Sequence, residues 1–322
     1  LEHIANISVR SVDRYDRNTA IEGVLTLERI ARDYWKSKGE LQASWFEADP
    51  DFFLGFSSQA LEEMTSLRSW TEMKLYYQFY EILRAASPRM PELTSTIAKS
   101  LRKLSLEPAA LENPAVRDLA VEYFNTFIRL TLNRKDVRSL YIIFDQYRTF
   151  AECMADKFPE EVAQIAYYFT YYGQAARESG LPFVVETVAH DLATLVQKAW
   201  TAGCPGREGL LERLLQFDAA GEGAIPGVKK ACALLAGHFL VCGEKKAAEL
   251  IAESFRKLSP AQVARVRDEL SQVTRQRYWE ISERRMNMHF APPQQQAKVR
   301  EFFDALAAPQ PEPAGPSRRE SD

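Results

Sequence analysis

Histidine and cysteine are scarce in this chain, with four of each in 322 residues. That leaves little from which to build a metal centre or an imidazole- or thiol-based active site. The cysteines, Cys153, Cys204, Cys232 and Cys242, show no tight pairing, so a reducing compartment is the simpler reading. Long apolar runs are missing too. The longest, Ala231 to Cys242, contains His238 and falls short of the ~20 residues a bilayer crossing needs. A one-signed charge excess is absent: the net charge is −3 and the pI about 6.0, which excludes a dedicated nucleic-acid binder. There is no P-loop, no GxGxxG, no zinc-protease motif and no Gly-x-Ser-x-Gly elbow, so no cofactor is expected. Strand-like alternation is almost lacking, and only Leu41 to Phe56, around Asp49-Pro50-Asp51, offers room for a short extended pair.

What is present is helical period. Val116, Leu119, Ala120, Tyr123, Phe127 and Leu130 recur at helical spacing, as do Val162, Ile165, Ala166, Phe169, Gly173 and Ala176. Val184, Val188, Leu192 and Leu195 make a third stripe. Start signals agree with the stripes. Thr19 with Glu22 and Ser69 with Glu72 fit capping boxes, while Asn113-Pro114 and Ser259-Pro260 place a cap residue before a first-turn proline. The fold class is all-α, built of stacked antiparallel helix pairs in the manner of an α-solenoid.

Six of the fourteen glycines fall between Gly203 and Gly227. They divide the chain into an N-terminal helical body (1–201), a glycine-rich loop or hinge (202–227), C-terminal helical hairpins (228–307) and a disordered Pro- and Ser-rich tail (308–322). The first residues already lie on a two-sided helix. Leu1, Ile4, Ala5, Ser8 and Val12 share one face, and Glu2, His3, Asn6, Arg10 and Asp13 the other, as expected of a chain cut from something longer.

Leu235, Ala236, Phe239, Gly243, Ala248 and Pro260 sit at spacings that resemble one tetratricopeptide hairpin, with small residues allowing close approach and Gly243 supplying the turn. A generic αα-hairpin accounts for the same residues.

Candidate binding residues are few. Glu186 and His190, four apart, make a carboxylate–imidazole pair that suits a general base or half a metal site, or a plain surface ion pair. Arg10, Arg14 and Arg17, interleaved with Asp13 and Asp16, form a mixed-sign cluster that suits a docking patch or a self-satisfied surface network. Cys232 and Cys242 share an apolar stripe, which points to buried structural thiols. Tyr76, Tyr77, Phe79 and Tyr80 cover more than one helix face, so one face is expected to meet another subunit or element. From Arg265 to Arg285 the helical pattern turns polar: Val263, Val266, Leu270 and Val273 make a narrow seam that lapses near Arg277 and suits a partner helix or a solvated terminal helix.

The stretch Ile7–Leu27, ISVRSVDRYDRNTAIEGVLTL, with Arg10, Asn18, Thr19 and Ala20, resembles the entry to the soluble part of a family of uncharacterised bacterial predicted membrane proteins. The segment WFEADPDFFLGFSSQALEEM, Trp45 to Met64, fits the same outline. Many members carry Asn-Asp-Pro in the turn, where this chain has Asp16-Arg17-Asn18. The resemblance covers about the first 200 residues and brings no functional residues. It implies membrane attachment through a segment absent from this chain, at the cytoplasmic face of the inner membrane. The leading expectation is a non-catalytic interaction or regulatory domain with a protein partner or self-association, and no nucleic acid. The alternatives are a soluble helical-repeat scaffold binding a peptide in a concave groove, and an enzyme whose pocket gathers Glu186 and His190.

Overall fold

The computed structural model describes residues 1–37, 67–87, 89–219, 226–271 and 291–307, and all regular structure among them is helical. Two compact units are present, Leu1–Phe217 and Asp218–Asp322. The first contains α1 (Glu2–Asp13), α2 (Arg17–Ser37), α3 (Leu67–Ala86), α4 (Pro91–Ser105), the single turn α5 (Pro108–Leu111), α6 (Pro114–Asn133), α7 (Val137–Lys157), α8 (Pro159–Glu178), α9 (Pro182–Thr201) and most of α10 (Arg207–Ala219). The second contains α11 (Pro226–Cys242), α12 (Lys245–Arg256), α13 (Pro260–Ser271) and α14 (Pro293–Ala307). Leu41–Phe56, the polar stretch beyond Ser271 and the tail 308–322 lie outside the described residues.

Proline opens α4, α5, α6, α8, α9, α11, α13 and α14. Its fixed φ suits the first helical position, and its missing N–H is one the helix would leave unpaired anyway. Five of the described helices, α1, α6, α8, α9 and α11, close with a shared device, a left-handed residue followed by a backbone bond back into the last turn. At α1 the left-handed residue is Tyr15 (φ 58°), and Asp16 N–H reaches Ser11 O at 2.8 Å. At α6 it is Lys135 (φ 52°), and Asp136 N–H reaches Thr131 O at 2.9 Å. Each aspartate then caps the next helix: Asp16 accepts from Thr19 N–H at 3.2 Å and Asp136 from Ser139 N–H at 3.1 Å. Thr19 is therefore not the cap of α2. It lies inside the helix and donates its hydroxyl to Asp16 at 2.7 Å, because Arg17 has already entered helical geometry. Ser259 and Gln262 do form a reciprocal capping box, with bonds of 2.8 and 3.3 Å.

In the first unit the helices form two layers. The pairs α1–α2, α3–α4, α6–α7 and α8–α9 each pack internally. In addition α1, α3, α6 and α8 pack in series, as do α2, α4, α7 and α9. This is the stacked-pair, solenoid-like architecture, in which each pair touches mainly its neighbours. The core repeats every 45 or 46 residues. Leu75, Phe79 and Leu83 of α3 correspond to Ala120, Phe124 and Ile128 of α6, then to Ile165, Phe169 and Gly173 of α8, all buried. In the second layer Ile97 and Leu101 correspond to Ile143 and Tyr147, then to Val188 and Leu192. Rings fill the space between layers: Phe124 stacks on Tyr147 at 4.7 Å and Tyr147 on Phe169 at 5.1 Å.

A polar rung recurs between neighbouring second-layer helices. Ser100, Gln146 and Asp191 occupy one repeated position, and Glu28, Arg102 and Arg148 another, two residues on. Ser100 donates to Glu28 at 2.5 Å, and Arg148 Nε lies 3.2 Å from Asp191 Oδ1.

The glycine-rich stretch 202–227 is not one loop. Leu210, Leu211, Leu214 and Phe217 bury the face of α10, and this apolar spacing outweighs the local glycines. In the second unit α11 packs on α12, α13 and α14. Gly243 (φ 80°) makes the α11–α12 turn, with Ala236 and Ala248 buried between the two helices. Lys229 is buried but fully employed, meeting Asp218 at 2.5 Å and Ser254 O and Oγ at 3.1 Å. Cys232 is buried as expected, whereas Cys242 is exposed at the end of α11, with its Sγ 3.5 Å from His238 Nε2.

Candidate interaction surface

His190 lies on α9 with its side chain only 13% exposed, and its Nδ1 is 3.7 Å from Asp191 Oδ1. Glu186 is half-buried one turn earlier. What organises this place is Arg148 of α7. Its guanidinium meets Asp145 at 2.8 Å, Glu152 in a short contact, and Asp191 across the interface. Asp191 is 3% exposed and its Oδ2 has no hydrogen-bond partner. Burial pushes its carboxyl above the usual range, against the pull of His190 and Arg148. Burial also opposes the charge on Arg148, but Asp191, Asp145 and Glu152 together raise its pKa. The cluster is thus a rung between two repeats, and the sequence reading missed its central pair, Arg148 and Asp191.

Arg10, Arg14 and Arg17 are exposed around the α1–α2 turn. The acids between them are engaged elsewhere: Asp13 meets Arg89 at 3.2 Å, and Asp16 caps α2.

The first layer carries a different surface. On α3, Tyr76 and Phe79 enter the core, while Tyr77 and Tyr80 stay half-exposed and stack at 6.5 Å. On α8, Tyr167 and Tyr171 are 51% and 55% exposed. Tyr168 and Tyr172, one residue on from each, stack on one another at 6.4 Å. Between them runs α6. Glu122 accepts from Tyr168 Oη at 3.3 Å, and Asn125 O accepts from Tyr172 Oη at 3.2 Å. Tyr77, Glu122 and Tyr167 occupy one repeated position, 45 residues apart, so the face is continuous across three helices. Burial raises the Glu122 carboxyl, with Arg129 and Tyr168 acting in the opposite sense. The Tyr167 ring already carries a cation, with the Arg213 guanidinium 5.5 Å from its centroid. Sequence reading found the α3 half through the run Tyr76–Tyr80. The Tyr-Tyr-x-x-Tyr-Tyr of α8 was an available signal, hidden inside a stripe read only for its apolar members.

Among the described residues no group of three or more His, Cys, Asp or Glu side chains is placed to hold a metal ion. No described helix is long and apolar enough to cross a membrane. No protein-family model matches the chain, and no curated protein matches it in sequence. Among solved structures it is similar to a circular tandem repeat protein with novel repeat topology and enhanced subunit contact surfaces. That likeness has 13% identity over 94% of this chain and 81% of the other, with a TM-score of 0.41.

Proposed function

We propose that this chain is a non-catalytic helical-repeat scaffold that binds a polypeptide partner across the tyrosine-bearing face of α3, α6 and α8. The exposure of Tyr167 and Tyr171, continued through Tyr168 and Glu122 to Tyr77 and Tyr80, carries the reading. Tyrosine offers large, stiff contact area with a polar tip, at low cost in side-chain entropy, and recurs at binding hot spots.

A photoreactive phenylalanine analogue placed at 171 is expected to cross-link one protein partner in extracts of the source cell. The same analogue at the exposed helix-end position 178 gives none. The double variant Tyr167→Ala/Tyr171→Ala loses that partner while its thermal unfolding is unchanged. Equal cross-linking at both positions, or partner binding that survives the double variant, overturns the proposal.

The proposal includes attachment to a membrane through a segment outside this chain, at the cytoplasmic face of the inner membrane. That part is supported by the resemblance in Ile7–Leu27. Recovery of the full-length gene product in the soluble fraction after cell lysis overturns it.

A further inference from the structure

We infer that Glu122 anchors a basic side chain of the partner, taking a guanidinium or ammonium group between its carboxylate and the surrounding tyrosine rings. The inference rests on the scaffold reading above and names the chemistry of the partner at that same face.

Four observations converge on this position. Glu122 sits at the centre of the face, at the repeat position held by Tyr77 on one side and Tyr167 on the other. Its carboxylate is half-buried and accepts from the Tyr168 hydroxyl at 3.3 Å. A turn further along α6, Asn125 is 2% exposed, and neither its side-chain nitrogen nor its oxygen has a partner. Below, on α7, the Tyr147 hydroxyl is also buried without a partner, close enough to sense Glu122, Tyr168 and Tyr172.

A carboxylate partly withdrawn from water gains from a cation brought close to it. The cation supplied from within, Arg129, acts from an exposed position and bonds Thr126 at 3.1 Å. Tyr168 holds the carboxylate through its hydroxyl, and tyrosines stand at the equivalent positions of the two neighbouring helices, so a cation here meets a carboxylate on an aromatic surface. The arrangement of Arg213 over Tyr167 already demonstrates that a ring on this face accepts a guanidinium. An anionic group would meet Glu122 unfavourably, and a neutral one would gain nothing from its charge.

The test titrates N-acetyl-arginine methylamide, N-acetyl-lysine methylamide and N-acetyl-glutamine methylamide into isotope-labelled protein. The Asn125 side-chain amide and the tyrosine ring signals are followed by NMR. The two cationic probes are expected to saturate these shifts and the glutamine probe is not. Glu122→Gln weakens the arginine probe about tenfold, which corresponds to ~1.4 kcal/mol. Arg129→Gln, which removes the internal competitor, tightens it. Equal response to the glutamine probe, or an arginine affinity within about twofold of wild type in Glu122→Gln, overturns the inference. If cross-linking at 171 survives Glu122→Gln undiminished, the anchor fails while the scaffold reading stands. If the Tyr167→Ala/Tyr171→Ala protein keeps its partner, the scaffold reading fails whatever the probes do.

Discussion

Replacing Arg148 by methionine keeps most of the side-chain volume and removes one charge from the α7–α9 rung. Arg148 is 5% exposed and Asp191 is 3% exposed, so the aspartate is left buried with only His190 beside it. Asp145 and Glu152, both partly exposed, add repulsion rather than relief. Breaking a buried pair by removing one partner costs about 3–5 kcal/mol. For a unit of this size that is roughly 6–20 °C in melting temperature. Asp191→Asn does the opposite kind of thing. It removes a charge whose Oδ2 has no partner and leaves a neutral amide, the group that Gln146 carries at the equivalent position of α7. Its cost is within about 1 kcal/mol of zero.

The pH dependence separates the two further. The Asp191 carboxyl is raised, so the folded chain keeps its proton over a range in which the unfolded chain, near 3.9, has released it. Stability from this group is present in acid and is lost as pH rises through that range. Asp191→Asn abolishes this contribution, so wild type gains on the variant as the pH falls from neutrality. Thermal and urea unfolding followed by circular dichroism, with hydrogen exchange reporting α7 and α9 separately, reads all three effects. A loss below about 1 kcal/mol for Arg148→Met refutes the reasoning. So does a loss in Asp191→Asn that matches Arg148→Met.

A Cβ at Gly173 would stand 2.7 Å from Phe217 Cζ and 2.8 Å from Val188 Cγ1, so Gly173→Ala is expected to cost about 1–3 kcal/mol. Gly209 lies in α10 with nothing within 4 Å, and Gly209→Ala should instead stabilise by about 0.5–1 kcal/mol, both read by urea denaturation. Asp136→Ala removes the cap from Ser139 N–H and also strands the buried Ser87 hydroxyl that donates to it at 2.6 Å, for about 2–4 kcal/mol in all. Asp16→Ala, at the matching but exposed turn, costs about 1 kcal/mol, and similar losses for the two would contradict this ordering.

Helical class and helix starts were legible because apolar spacing and first-turn prolines are local signals. The turns were harder to read. Tyr15 and Lys135 hold left-handed geometry that favours glycine, so neither announced itself, and the cap of α2 was placed three residues late. The 45-residue repeat was invisible for a related reason. Equivalent positions conserve burial but not residue type, as Leu83, Ile128 and Gly173 do. Glu186 and His190 were noticed because they are chemically conspicuous. The rung beside them rests on Asp191, whose depth depends on a helix 43 residues earlier in the chain, and no local pattern reports that. On α8 the tyrosines were masked by their own amphipathy: half of them serve the core and half the surface.

Serial pairing of the helices also governs how the first unit would carry a load. A globular core shares strain among many elements, but here a pull along the stack passes through one interface after another. The rungs are chemically unequal, a serine on a glutamate at one and a guanidinium among three carboxylates at another. Such a stack has graded stiffness, and a partner gripping α3 and α8 together would hold three successive pairs at fixed pitch. Binding across that face would act as a splint.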